Sequence, residues 1–144
     1  SILMTLFALT VVPSALSNST HDNEAANYAC HLNICDGDNV TVVSGIYLGM
    51  TGFAQNVNSQ TGNFNLVTAY EGTFFMHSSL VQRGHFPPSC LYGFCLGNRT
   101  LVVNGSFKGL VSWVDGFRPG RQMVKTQDRN GRQYIIYPSN LRHY

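Results

Sequence analysis

A stretch of thirteen residues occurs twice in this chain, and the duplication constrains the fold more than any other feature. The first copy spans Val42 to Ala54 and the second spans Val102 to Val114, sixty positions later. The register continues backwards without a gap over two cysteines and a glycine, in which Cys30, Cys35 and Gly37 correspond to Cys90, Cys95 and Gly97. Chance similarity between two β-rich stretches would not keep cysteines and glycines in register. The period therefore indicates a tandem repeat.

The duplication divides the 144 residues into small units. The predicted segments are an N-terminal apolar arm or signal remnant with a linker (1–26), repeat 1 (27–83), a linker (84–89) and repeat 2 (90–144). A domain of this size buries only about 60% of the surface that its unfolded chain exposes, so each repeat needs a covalent staple.

The four cysteines supply such staples. Two Cys-x4-Cys units could hold zinc, but structural zinc sites usually use tighter spacings in reducing compartments. Disulfides are therefore predicted, and four cysteines allow three pairings. The duplication favours Cys30–Cys35 and Cys90–Cys95 within the repeats, whereas the alternative, Cys30–Cys95 with Cys35–Cys90, would join them.

Four N-glycosylation sequons begin at Asn18, Asn39, Asn98 and Asn104. Each pattern alone has a high false-positive rate. Together with paired cysteines they predict a secreted, extracellular glycoprotein. N-linked glycans would cover part of its surface.

Charge is distributed unequally between the two halves. Residues 1–86 carry one basic and five acidic side chains, and residues 87–144 carry eight basic and two acidic ones. Drift on a solvated surface would explain this asymmetry, but so would attraction between repeat 2 of one molecule and repeat 1 of the next. A basic patch with interleaved aromatic residues is missing from the sequence, so no nucleic-acid partner is predicted.

Residues 1–17 have no counterpart in repeat 2. They fit the apolar region of a cleaved signal peptide, an ordered arm that pairs with an exposed sheet edge, or a membrane anchor, although the run is short for a span and Pro13 interrupts it. An ordered assembly arm is the preferred interpretation. Its apolar residues are Ile2, Leu3, Met4, Leu6, Phe7, Leu9, Val11 and Val12.

Short strands separated by turn residues predict an all-β fold without a long helix. Strands are expected at 40–43, 53–57, 64–69, 73–77 and 133–137. Asn58–Gly62, Glu71-Gly72 and Asp128–Gly131 are the expected hairpin connections. Trp113 occupies the position of Phe53, and both are expected in the core. Tyr47, Phe74 and Phe75 are also expected there, although they could instead form an aromatic groove that binds a peptide.

The glycine pattern of repeat 1 resembles the signature of the KOW and SH3-like small-barrel group. The matching positions are Gly37, Asp38, Val40, Val42, Gly45, Tyr47, Gly49 and Gly52. Repeat 2 keeps much of this pattern but has Ser112 where the last glycine would be, and its Pro138-Ser139-Asn140 resembles the closing segment of SH3 domains. The resemblance implies two tandem five-stranded SH3-like barrels. It is weak evidence for function, because small barrels host many unrelated ones.

The composition gives no support to catalysis. Seven carboxylates are present with no pair placed for glycoside hydrolysis, and the cysteines are all committed to disulfides, so no enzyme, cofactor or metal site is predicted. His31 stands beside Cys30 but is expected to be an ordinary surface histidine. The predicted function is a structural protein that forms a homo-oligomer or polymer, assembling head to tail into a fibre or coat, with membrane attachment not expected. The alternative is a soluble secreted module that binds glycan or peptide in the barrel grooves.

Overall fold

The structure is a computed structural model that describes residues 29–144. The predicted arm and Asn18 lie outside the described residues, so the arm stays a prediction. The described chain is all-β, as predicted. No helix in this part of the chain has the length and apolar character that crossing a bilayer requires.

Each repeat begins with a short hairpin, made of two strands of two residues each and closed by a disulfide. In repeat 1, β1 (Cys30–His31) pairs with β2 (Ile34–Cys35), and in repeat 2, β8 (Cys90–Leu91) pairs with β9 (Phe94–Cys95). Both turns have two residues at positive φ, as in a type I′ turn. The turn places the cysteines directly opposite each other, with Cα atoms 4.0 Å apart in repeat 1 and 3.9 Å apart in repeat 2. The predicted pairing within each repeat is confirmed.

A five-stranded antiparallel sheet follows each disulfide hairpin. Sheet 1 consists of β3 (Asn39–Val42), β4 (Thr51–Gln55), β5 (Asn63–Val67), β6 (Thr73–His77) and β7 (Val81–Arg83). Sheet 2 consists of β10 (Arg99–Val102), β11 (Val111–Arg118), β12 (Met123–Gln127), β13 (Gln133–Ile136) and β14 (Leu141–His143).

The two sheets have the same order of strands. The order is β6-β5-β4-β3-β7 in sheet 1 and β13-β12-β11-β10-β14 in sheet 2. A 3-10 helix, Ser78–Leu80 or Pro138–Asn140, turns the chain from the fourth strand of each sheet into the fifth. Neither sheet closes on itself, so a closed barrel is not shown.

The fifth strand of each sheet was not predicted. One expected turn has more residues than the sequence suggested. β7 and β14 each have only three residues and follow directly on a 3-10 helix, which leaves no alternating pattern to detect. The connection expected as a tight Glu71-Gly72 turn is a five-residue loop, closed by Thr68 N donating to Gly72 O at 3.0 Å. In repeat 2 the expected turn is confirmed, and Asp128 Oδ1 accepts from Asn130 N and Arg132 N.

Each sheet buries one face in a core of its own. Phe64 and Leu66 alternate with half-buried residues along β5 and fill the core of repeat 1, while Val102, Val114 and Val124 occupy the core of repeat 2. The expectation of a core position was wrong for Phe53 and Phe75, which are 41% and 72% exposed. It was also wrong for Trp113, which is half-buried on the outer face, opposite Arg99. The alternation of a strand defines two faces but not which face is buried.

Candidate functional site

The two repeats contact each other through the β11–β12 hairpin of repeat 2, whose strands pair further towards the tip than those of the β4–β5 hairpin in repeat 1. β11 has eight residues, whereas its counterpart β4 has five. A bulge between Val114 and Gly116 shifts the pairing of β11 with β12, and the two strands continue to Arg118 and Met123. The hairpin tip, Pro119–Gln122, reaches repeat 1, where Gln122 Nε2 donates to Ile46 O at 3.4 Å.

Gly120 is the centre of this contact. Its backbone N–H donates to both carboxylate oxygens of Glu71, at 3.2 and 3.1 Å. A Cβ atom at Gly120 would lie 2.8 Å from Phe74 Cζ, so only glycine allows the tip to approach the ring this closely. Pro119 is buried although it stands at the tip of a hairpin. A hydrogen bond from a backbone N–H to a carboxylate is charge-assisted and therefore stronger than one between neutral groups.

A cleft of about 290 Å³ lies beside the contact. The Arg118 guanidinium stands over the Tyr70 ring, 5.8 Å from its centroid, and the Tyr70 side chain is 86% exposed. Aromatic surface together with guanidinium groups suits an anionic or planar ligand. The cleft is lined by Tyr70, Glu71, Phe74, Arg118, Gly120, Arg121 and Ile135.

Tyr92 places an unpartnered hydroxyl in the same region. Its ring makes an edge contact with Phe117, with centroids 6.2 Å apart, and its buried hydroxyl has no hydrogen-bond partner among the described residues. Burial raises the pKa of the Tyr92 hydroxyl, and the Glu71 carboxylate raises it further. A buried hydroxyl without a partner costs stability.

The substitution Tyr92→Phe should therefore stabilise the protein by about 1 kcal/mol, because it removes an unsatisfied polar group and keeps the ring. The gain should widen above about pH 10. In that range the unfolded parent chain loses the Tyr92 proton while the folded protein still holds it, so the parent loses stability and the phenylalanine variant does not. Urea denaturation at neutral and alkaline pH measures both effects.

Tyr134→Phe is the matched control for this change. The Tyr134 hydroxyl donates to Asp128 Oδ2 at 3.0 Å, so its removal should give no gain at neutral pH. Equal effects of the two substitutions at neutral pH, or a loss of stability in Tyr92→Phe, would contradict the assignment of a buried, unpartnered hydroxyl.

Of the three predicted glycosylation sites that the structure describes, two are freely exposed. The side chains of Asn39 and Asn104 face solvent, whereas Asn98 is half-buried and its Oδ1 accepts from Cys95 N at 2.9 Å. Occupancy of all four sequons stays a prediction.

His31 holds the disulfide hairpin of repeat 1 to the 3-10 helix. Its Nδ1 lies 2.6 Å from the hydroxyl oxygen of Ser78, which is buried. Its ring makes an edge contact with His77, with centroids 5.5 Å apart. The pair packs against Gly62, where a Cβ atom would lie within 2.7 Å of both rings. Within residues 29–144, no three metal-ligating side chains come together.

The inter-repeat contact was not predicted from the sequence, although one signal was present. Arg118-Pro119-Gly120-Arg121 in repeat 2 corresponds to Asn58-Ser59-Gln60-Thr61 in repeat 1 and shares no residue with it. A departure between two otherwise matching repeats marks a segment with a separate role.

Comparison with known proteins adds no assignment. A scan against protein-family models found no match, and a search of curated proteins found none. The function is therefore inferred from the geometry of the chain's own residues.

Proposed function

We propose that this chain is an extracellular structural glycoprotein whose copies assemble head to tail into a fibre or coat. The N-terminal arm of one copy, within residues 1–17, adds as a strand to an open sheet edge of the next copy. The two disulfides are typical of an oxidising, extracellular environment.

The β6 edge of sheet 1, which has no second paired strand in the described chain, carries this proposal. β6 pairs only with β5 in the described part of the chain, and its sequence Thr-Phe-Phe-Met-His contains neither proline nor a permanently charged residue. Proteins usually protect an edge strand with lysine, proline or a covering segment. Phe75 on this strand is 72% exposed, which suits an edge that receives an apolar strand.

The contact between repeat 1 and repeat 2 supports a polymer whose copies are regularly spaced. The hairpin tip fixes repeat 2 against repeat 1, so each copy would enter a polymer as one body. A heterologous contact that does not close on itself generates an open filament. Within one molecule the Glu71 carboxylate accepts from the Gly120 backbone of the hairpin, and the basic side chains of repeat 2 are available for steering between copies.

We further propose that each repeat is an SH3-like barrel left partly open. The meandering order of four strands, and the fifth strand that returns beside the first, support this proposal. So does the 3-10 helix that precedes the fifth strand.

Two variants test the assembly directly. The full chain should form long, regular polymers in light scattering and negative-stain images, whereas a chain without residues 1–17 should stay monomeric. Phe75→Lys should also abolish assembly, because a charge on an edge strand opposes strand addition. Its stability should change by less than about 0.5 kcal/mol, since the side chain is exposed.

Leu32→Lys is the matched control, because Leu32 is 62% exposed and lies in a turn rather than on a sheet edge. It should polymerise like the parent chain. A monomeric parent chain, or polymers of Phe75→Lys, would exclude strand addition at β6.

A soluble binding module is the second candidate, and the cleft between the repeats is the observation in its favour. The two arginines and the exposed Tyr70 ring would receive an acidic glycan or peptide. A parent chain that remains monomeric with residues 1–17 in place would favour this function over assembly.

A further inference from the structure

A row of side chains crosses the outer face of sheet 1. Asn39 on β3 is paired with Phe53 on β4, Phe53 with Val67 on β5, and Val67 with Thr73 on β6. Directly paired residues of antiparallel strands point to the same face of a sheet. Asn39, Phe53 and Thr73 are exposed, so this face is open to solvent.

The pairing brings Asn39 and Phe53 especially close. Ala54 N donates to Asp38 O at 2.9 Å, so the bond lies beside the Asn39–Phe53 pair rather than within it. Residues in such a non-hydrogen-bonded pair have Cα atoms about 4.5 Å apart, with their side chains closer than in the alternate pair. Phe53 is 41% exposed, and no other aromatic ring of the described chain stacks on it.

The linker after β7 restricts the space around Asn39 on its other side. Thr41, the third residue of the Asn39 sequon, is buried. Its hydroxyl donates to Gly84 O at 2.8 Å and accepts from Phe86 N at 2.8 Å, so linker backbone covers this part of β3. A group attached to Asn39 is thereby bordered by the linker on one side and by Phe53 on the other.

We propose that the first sugar of an Asn39-linked glycan stacks on the Phe53 ring and stabilises repeat 1. The inference rests on the proposed glycosylation of Asn39. The C–H face of an N-acetylglucosamine ring is apolar, so its contact with an exposed aromatic ring removes apolar surface of both partners from water. The glycan thus covers a phenylalanine that would otherwise face solvent.

Repeat 2 lacks this arrangement. Arg99 takes the place of Asn39 and is paired with Trp113, which is half-buried. Asn98 lies one residue earlier in the sequence, and its side chain caps the disulfide hairpin. Asn104 lies outside the strands, in the turn after β10. The stacking is therefore specific to Asn39 among the sequons that the structure describes.

A double-mutant cycle on the full chain, produced in cells that attach N-linked glycans, tests the inference. Thermal unfolding is compared for the parent chain, Asn39→Gln, Phe53→Ser and the double variant, each trimmed by endoglycosidase to one N-acetylglucosamine per site. Loss of the Asn39 sugar should lower Tm by about 4 °C when Phe53 is present. The same loss should lower Tm by less than about 1 °C in the Phe53→Ser background.

Asn104→Gln is the control, because it also removes one sugar and its site has no paired aromatic residue. Mass spectrometry of the parent chain separates the two ways in which the idea can fail. An unmodified Asn39 would overturn both its proposed glycosylation and the stacking. A modified Asn39 whose effect on Tm is the same with and without the Phe53→Ser substitution, or no larger than that of Asn104, would overturn the stacking and leave the glycosylation standing.

Discussion

The substitution Gly52→Ala should destabilise repeat 1 by about 3 kcal/mol, the largest single effect that we expect in this chain. A Cβ atom at this position would lie 2.3 Å from the carbonyl oxygen of Val67 and 2.9 Å from its carbonyl carbon. Both atoms belong to the backbone of β5, so no side chain can move aside. Relief requires β4 and β5 to separate, at the strand pair that carries the buried Leu66.

Gly116→Ala is the matched control, because it introduces the same methyl group into a strand of repeat 2. There the closest atom is Lys125 Cε at 3.0 Å, the mobile end of a side chain, so the cost should be below about 1 kcal/mol. Far-UV circular dichroism follows the whole chain, and the fluorescence of Trp113, the single tryptophan, follows repeat 2. Gly52→Ala should lower the dichroism midpoint more than the fluorescence midpoint. Equal midpoints in the parent chain and Gly52→Ala would contradict the steric argument.

The KOW-like pattern in the sequence identifies Gly52 but not the structural reason for it. The pattern marks it as the last glycine of the KOW-like motif, but does not say why glycine is needed or why repeat 2 has Ser112 instead. In repeat 2 the serine is fully buried, and its hydroxyl lies 3.4 Å from that of Thr100. The corresponding position therefore differs between the repeats. Repeat 1 has no side chain there, and repeat 2 has a serine whose hydroxyl lies beside that of Thr100.

Features that depend on local spacing were predictable. The cysteine spacing and the duplication predicted the disulfides, because a five-residue separation suits a two-residue turn between paired cysteines. The alternation of Phe64 and Leu66 predicted the strand that forms β5, within two residues of its observed ends.

Features that depend on the packing of one segment against another were not predictable. Phe53, Phe75 and Trp113 were expected in the core because they are large and apolar, but their register places them on the outer faces of the sheets. The contact between the repeats depends on the pairing of β11 with β12 beyond the bulge, and a bulge has no clear signature in a single sequence.

The hairpin contact also changes the interpretation of the charge asymmetry. Opposite charge on the two halves suggested attraction between molecules, but Glu71 accepts its hydrogen bond from Gly120 of the same chain. Glu71 is therefore engaged within its own molecule by a backbone group of the hairpin, whereas Arg121 stays exposed at the tip. Attraction of Glu71 to repeat 2 of another copy would compete with this contact, whereas strand addition at β6 leaves it intact.

Gly120→Ala should release repeat 2 from repeat 1. The added Cβ atom would lie 2.8 Å from Cζ of the half-buried Phe74 ring and 3.0 Å from Glu71 Oε2, so we expect the hairpin tip to withdraw and the bond from Gly120 N to the carboxylate to break. Loss of a hydrogen bond to a charged group costs about 2 kcal/mol. This loss weakens the contact between the two repeats and leaves the core of each repeat unchanged. Small-angle scattering should show a larger radius of gyration, and the Trp113 fluorescence transition should separate from the dichroism transition.

Arg121→Ala tests the same tip without disturbing its centre. Arg121 is exposed and next to Gly120, so its truncation leaves the backbone bond to Glu71 in place and should keep the two transitions together. If Gly120→Ala keeps the dimensions of the parent chain and a single transition, Gly120 does not hold the repeats together. If Arg121→Ala separates the transitions as strongly as Gly120→Ala does, the coupling depends on charge at the rim of the cleft rather than on the close approach of the glycine.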